Sequence, residues 1–143
     1  MDEFDCLKLD NQLCFPLYAC ARSVVKKYNP YLAKIDLTYT QYIAMMVFWE
    51  KGKCSAKELG DKLYLDSGTM TPVLKSLEKK GLIKRARSEE DERLLMVEIT
   101  EKGKTLKTQA VGIPAQVAAC VALEPNEIQT LAKTLHKLLD TMR

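Results

Sequence analysis

Residues 55–99 read SAKELGDKLYLDSGTMTPVLKSLEKKGLIKRARSEEDERLLMVEI. Two short helical patterns, one from Ser55 to about Leu63 and one from Asp66 to Lys80, are separated by a tight turn. Two strand-like runs follow, Leu82–Ala86 and Leu94–Ile99, around the charged tip SEEDER. Ser55 with Glu58 three residues later is a helix-start signature, Asp66 is a good N-cap, and Gly81 is a C-terminal glycine. Helix, turn, helix and hairpin in that order form a winged helix-turn-helix, a device that sets one helix into a DNA major groove.

Outward from this centre the chain is helical. Thr38 and Gln41 form a possible capping box for a helix over Tyr39–Lys51. Upstream, Leu13, Leu17, Ala21, Val24, Tyr28 and Leu32 recur every three or four residues, which predicts a first helix capped by Asp10 and running to about Leu32. Pro16 should loosen its first turn, and Asn29-Pro30 is a second weak point near its end. Downstream, Thr100 opens a helix to about Val111, Ala115–Val121 is a short segment, and Pro125 suits the first turn of a last helix striped with Ile128, Leu131, Leu135, Leu138 and Met142. The expected fold is mainly α with a small β-hairpin wing, in a single domain over 1–143. Residues 38–103 are the DNA-binding lobe, and 1–37 with 104–143 are dimerisation helices. The terminal helices carry more apolar surface than so small a lobe needs, and pairing with a second copy buries it.

A chain of 143 residues, 47% hydrophobic and 29% charged, has an ordinary globular composition. The net charge of +3 is too small to mark a nucleic-acid partner, but its distribution is informative. Lys75, Lys79, Lys80, Lys84, Arg85 and Arg87 stand against the single acid Glu78 in that stretch. Such a cluster is either a phosphate-binding face or a solvated charged one. No apolar run has the length of a membrane span and the start, MDEFDCLKLD, is acidic, so a cytoplasmic protein without a membrane partner is expected.

In the second helix of the motif, Asp66, Ser67, Gly68, Thr69, Thr71, Pro72 and Lys75 are the candidates to face DNA. Small hydroxyl residues and free amides at a helix start approach phosphates and base edges closely. Leu74, Leu77 and Leu82 hold that helix on the core. In the hairpin, Lys84 and Arg85 are candidate phosphate contacts, and Arg87 and Arg93 flank a tip that could enter the minor groove. Asp91 and Arg93 could equally form an internal ion pair that shapes the wing. The partner is double-stranded DNA, and a two-fold dimer implies a palindromic operator.

LDSGTMTPVLKSLEKKGLIKRARSEEDERLLMVEITEKG resembles the core of the MarR family of dimeric winged-helix regulators. The first part, LDNQLCFPLYACARSVVKKYNPYLAKIDLTYTQYIAMMVFWE, is similar to one branch, the organic-hydroperoxide sensors (OhrR), and the likeness extends from about Phe4 to Met142. LDNQLCF with LTYTQY carries the branch assignment. The resemblance implies a repressor of promoter DNA that is released when a sensing cysteine, here Cys14, is oxidised by an organic hydroperoxide. It also implies tyrosine hydrogen-bond partners for that thiol at Tyr28 and Tyr39, with Tyr18 a further candidate. Tyr28 lies fourteen residues along the same helix, about 21 Å at the helical rise, so it could bond Cys14 only from the other subunit.

Taken singly, each of the five cysteines reads as a buried spectator. Near a helix start, however, the dipole favours a reactive thiolate at Cys14. Family precedent for a resolving thiol in the C-terminal region matches Cys120. An intersubunit Cys14–Cys120 disulfide stands beside a one-cysteine sensor capped by a small thiol. Cys20 is nearly opposite Cys14 on the helix, Cys6 reaches it only from a mobile N-terminus, and Cys54 beside the Ser55 cap reads as structural. Pro16, two residues beyond Cys14, departs from the pattern and puts the geometry of that turn in question. No CxxC pair, P-loop, GxGxxG or HExxH is present, and His136 has no evident triad partner, so neither a cofactor, a metal site nor an enzyme is expected. The alternatives to a redox repressor are one released by a small aromatic ligand between subunits and, in another class, a thiol peroxidase.

Overall fold

The computed structural model describes residues 2–142. Its elements are α1 (Cys14–Ala33), α2 (Tyr39–Lys51), β1 (Lys53–Ser55), α3 (Ala56–Leu63), α4 (Ser67–Lys79), β2 (Ile83–Arg87), β3 (Leu95–Ile99), α5 (Glu101–Ala110), α6 (Ile113–Ala118) and α7 (Pro125–Thr141). Two 3-10 turns, Asp5–Leu7 and Leu9–Asn11, precede α1. The architecture is the expected one: mostly helical with a small antiparallel sheet forming the wing of a helix-turn-helix. The chain divides into two compact units at the Ile113–Pro114 boundary.

In the first unit α2 is the central helix, burying Tyr42, Ala44, Met45, Val47 and Phe48. Leu32 of α1, Leu59 of α3, Leu74 and Leu77 of α4, Ile83 of β2 and Val97 of β3 complete the fully buried set. The helix starts are fixed by the residues that local chemistry selects. Thr38 Oγ1 accepts from the Gln41 amide (3.3 Å) while Gln41 Oε1 accepts from the Thr38 amide (3.1 Å), a reciprocal capping box. Ser55 Oγ accepts from the Glu58 amide (3.0 Å) and Asp66 Oδ1 from the Thr69 amide (2.7 Å). Lys80 ends α4, and Gly81 follows at φ +77°, a conformation that side chains rarely adopt.

Two expectations are corrected at the N-terminus. The first helix does not start at an Asp10 cap; it starts at Cys14, with Leu13 before it and no side-chain cap. Asn11 and Gln12 account for the delay. Asn11 Nδ2 donates to the Asp5 carbonyl (2.8 Å), and Gln12 Nε2 donates to those of Cys6 (2.7 Å) and Lys8 (2.8 Å), so the preceding residues are tied into turns. Pro16 is therefore the third residue of α1, where amides have no intrahelical partner, and its missing N–H costs nothing. Pro30 lies inside the last turns of α1, which continues to Ala33.

The sheet holds a strand that the sequence reading did not include. β1 pairs antiparallel with β3 (Cys54 opposite Val97) and β3 with β2 (Arg85 opposite Val97), giving the order β1-β3-β2. The first hairpin strand sits one residue later than expected, at 83–87, and the second starts one residue later but ends at Ile99 as expected. In the second unit, α7 begins with Pro125, and the Glu124 amide donates to Glu127 Oε1 (3.0 Å). Val117 is buried, whereas no residue of α7 is.

Candidate nucleic-acid interface and thiol centre

Helix α4 separates cleanly into two faces. Met70, Leu74 and Leu77 are buried, and Ser67, Gly68, Thr69, Thr71, Pro72 and Lys75 are all exposed. The Asp66 cap holds the first turn, and the Thr69 amide that donates to it keeps the Asp66 carboxyl below the usual carboxylate range. Thr71 Oγ1 donates back to the Ser67 carbonyl (2.8 Å). The start of α4 thus presents small polar side chains on an open surface, an arrangement able to meet phosphate oxygens and base edges.

The wing is tied to this helix. Glu78 of α4 takes three hydrogen bonds from Arg85 of β2: the backbone amide to Oε2 (3.0 Å), and Nε (3.2 Å) and Nη2 (2.9 Å) to Oε1. The Arg85 guanidinium beside it lowers the Glu78 carboxyl. Arg85 is thus engaged within the protein, whereas Lys84 and Arg87 are exposed. At the wing tip Arg93 pairs with Asp91 through Nε–Oδ1 (3.1 Å) and Nη2–Oδ2 (3.3 Å), which lowers the Asp91 carboxyl. This is the internal ion pair considered from sequence, and it leaves the Arg93 side chain 90% exposed.

Cys14 is the exposed first residue of α1. Leu13 before it is 73% exposed and Tyr18, one turn on, 60% exposed. The Arg22 guanidinium lies over the Tyr18 ring (5.5 Å). Tyr28 and Tyr39 are brought together, with ring centroids 5.0 Å apart. Tyr42 joins them at 5.7 and 6.2 Å, and Trp49 reaches Tyr42 at 6.3 Å. Burial, and then the neighbouring Tyr28, raise the Tyr39 phenol, so it remains a hydrogen-bond donor at neutral pH. Cys6, Cys20 and Cys120 are exposed, and Cys6 Sγ donates to the Glu3 carbonyl (3.4 Å). Cys54 differs: it is buried in β1, and burial followed by the Glu58 charge raises its thiol, which disfavours the thiolate. Cys14 belongs to the first unit and Cys120 to the second.

Residues 26–110 match the family described as Transcriptional regulator SarA/Rot. The organic hydroperoxide resistance transcriptional regulator of Bacillus subtilis strain 168 is 45% identical over 141 residues, 99% of this chain and 96% of that protein. The HTH-type transcriptional regulator SarZ of Staphylococcus aureus USA300 is 46% identical over 109 residues, 76% of this chain and 74% of that one. The chain belongs to the MarR family, in its OhrR branch. Among solved structures, reduced AbfR bound to DNA has a TM-score of 0.81 at 29% identity, covering 99% of this chain and 96% of its own. AbfR, from Staphylococcus epidermidis, has also been solved overoxidised on DNA (TM-score 0.79) and with a disulfide formed (TM-score 0.66).

As an OhrR-branch regulator the chain contains functional contacts that sequence reasoning overlooked. Glu78 was visible only as the lone acid in a basic run, yet it holds Arg85 of the wing through three hydrogen bonds. Tyr42 and Trp49 extend the tyrosine pair, and Trp49 Nε1 donates to the Gly103 carbonyl (2.8 Å), joining α2 to α5. Gln41 was legible as a cap but not as a contact of α4. Its Nε2 donates to Ser76 Oγ (2.9 Å) and its Oε1 accepts from Lys80 Nζ (2.9 Å). The capping-box signature was the available signal, because it placed an amide side chain at a helix start that faces inward.

Proposed function

We propose that this OhrR-branch regulator is a homodimeric cytoplasmic repressor that holds a palindromic operator while Cys14 is reduced and releases it when an organic hydroperoxide oxidises that thiol. The observation that carries the reading is the position of Cys14, exposed at the first residue of a 20-residue helix, in a chain 45% identical to an organic hydroperoxide regulator. The Cys14 thiolate attacks one peroxide oxygen. An S–O bond forms as the O–O bond breaks, the sulfur is oxidised to a sulfenic acid, and the peroxide is reduced and leaves as an alcohol after taking up a proton. A second thiolate then displaces hydroxide, which departs as water, and an S–S bond forms. Cys120 of the other subunit is the proposed second thiol. The existence of AbfR both overoxidised on DNA and with a disulfide supports disulfide formation as the releasing step.

Dimerisation is assigned to residues 1–37 and 104–143, flanking the lobe at 38–103. Along α1 only Leu32 is buried, and Phe15 and Val24 are exposed. On α7 Ile128, Leu131 and Leu139 are exposed. A second copy covers these stripes. Tyr28 and Tyr39, with Tyr18, are proposed to bond the partner's thiol, and exposed residues of the α4 face, with Lys84, Arg87 and Arg93, to contact DNA. Arg85 acts mainly through Glu78. Peroxide consumption is stoichiometric, one equivalent per Cys14, without turnover.

The test is Cys14→Ser with cumene hydroperoxide. Release from DNA is lost if the thiol is the sensor, and persistent release refutes it in favour of a ligand-binding regulator. Intact-mass measurement under non-reducing conditions separates a Cys14–Cys120 linked dimer from a small-thiol adduct.

A further inference from the structure

Helix α1 ends in a stiff corner. The Leu37 amide bonds back to the Leu32 carbonyl (3.1 Å), both side chains are buried, and Asp36 between them takes φ +55°. Thr38 follows at once as the cap of α2. The corner is also fastened to the far end of the reading helix. Lys80, the C-cap of α4, donates through Nζ to the Asp36 carbonyl (2.5 Å) and to Gln41 Oε1 (2.9 Å), with the Asp36 carboxylate 3.7 Å away. Gln41, only 7% exposed, uses both lone pairs of Oε1, on Thr38 and Lys80, and sends Nε2 to Ser76 one turn earlier on α4. Lys102 Nζ caps the Lys80 carbonyl (2.8 Å).

We propose that Gln41 and Lys80 are positioning residues: the joint they make couples the end of α1 to the orientation of α4. The inference rests on the reading that oxidation at Cys14 displaces α1. A buried amide whose oxygen and nitrogen are both paired has little room to slip, because a half-broken network leaves polar groups unsatisfied. A displaced corner therefore carries the end of α4 with it. The helix is about 20 Å long, so a tilt of about 5° about that end moves its DNA-facing start by roughly 1.7 Å, enough to break hydrogen bonds. Two half-sites read together make that shift costly.

The test uses the full-length protein and a fluorescein-labelled duplex selected from a random pool by the reduced form. The readout is the ratio of dissociation constants, oxidised over reduced, with Cys14 oxidation followed by mass and folding by urea titration. Lys80→Met, which removes the bonds to Asp36 and Gln41, and Gln41→Met, which removes those to Ser76 and Lys80, should lower the ratio by about two- to thirtyfold while Cys14 oxidises at the parental rate. Lys80→Arg should recover much of it. A purely structural joint would alter urea stability and both dissociation constants together, leaving the ratio fixed. Ser76→Ala, a milder change, covers the case in which Lys80→Met does not fold. An unchanged ratio in the folded variants overturns the joint. Release that persists in Cys14→Ser instead overturns the redox reading, and the ratio in Lys80→Met still reports the joint.

Discussion

Gly103→Ala sets two principles against each other, and the structure decides the sign. Gly103 is the third residue of α5, and replacing a helical glycine with alanine ordinarily stabilises by about 1 kcal/mol. Here an added Cβ would lie 2.4 Å from the Leu82 carbonyl oxygen and 2.7 Å from Ile99 Cγ1. The first of these is backbone, already accepting from the Thr100 amide (3.0 Å), and cannot turn aside as a flexible side chain would. Relief requires α5 to retreat by roughly 1 Å, and with backbone as the obstacle the cost falls at the upper end of the usual overpacking range, about 3 kcal/mol. The same retreat pulls the Gly103 carbonyl from Trp49 Nε1, a bond worth about 1 kcal/mol. Net of propensity the loss is about 3 kcal/mol, a fall in Tm of roughly 6–12 °C. Urea and thermal unfolding at fixed protomer concentration measure it, followed by far-UV circular dichroism and by fluorescence of Trp49, the only tryptophan in the chain. Gly112→Ala is the control, since nothing lies within 4 Å of its added Cβ, and it should be neutral or stabilising by up to about 1 kcal/mol. A Gly103→Ala protein as stable as its parent would refute the packing argument and leave propensity in charge.

Glu78→Gln should weaken DNA binding by roughly tenfold if the Arg85 fork serves to position the wing, because the freed strand loses its anchor on α4. Tighter binding would mean instead that Arg85 acts as a phosphate contact restrained by Glu78. Lys75→Ala, on the exposed face of α4, should weaken binding across sequences and reduce the slope of log affinity against log salt by about 1; an unchanged slope removes Lys75 from the interface. Asp66, Glu78 and Asp91 all have lowered carboxyl pKa values, held down first by the Thr69 amide, the Arg85 side chain and the Arg93 side chain respectively. Their stabilisation is present above the unfolded carboxylate range near pH 4 and is lost as pH falls from there through the lowered folded values. The triple change to Asn, Gln and Asn should flatten stability against pH in that acid window. An unchanged acid slope in equilibrium unfolding would count against it.

The helix starts at Tyr39, Ala56, Ser67 and Glu101 were legible because capping is local: Thr38, Ser55, Asp66 and Thr100 each accept an amide from three residues on. The start of α1 was misread for a related reason. Asp10 has the chemistry of a cap, but Asn11 and Gln12 bond backward to the chain before them and postpone the helix to Cys14. β1 was illegible because three residues between two helices show no alternation, and its pairing partner is more than forty residues away.

The sequence by itself determined the order of the helices and the hairpin, the exposed and buried faces of α4, and a cysteine near the start of α1, all of which depend on spacing within a few residues. Tertiary structure alone decided that Arg85 answers to Glu78, that Tyr28 meets Tyr39 and Tyr42, and that Gln41 at the start of α2 bonds Ser76 and Lys80 at the end of α4. Each of these joins groups on separate elements. A side chain's chemistry states that it needs a partner, and only the packing of helices and strands around a common core brings that partner within hydrogen-bonding reach.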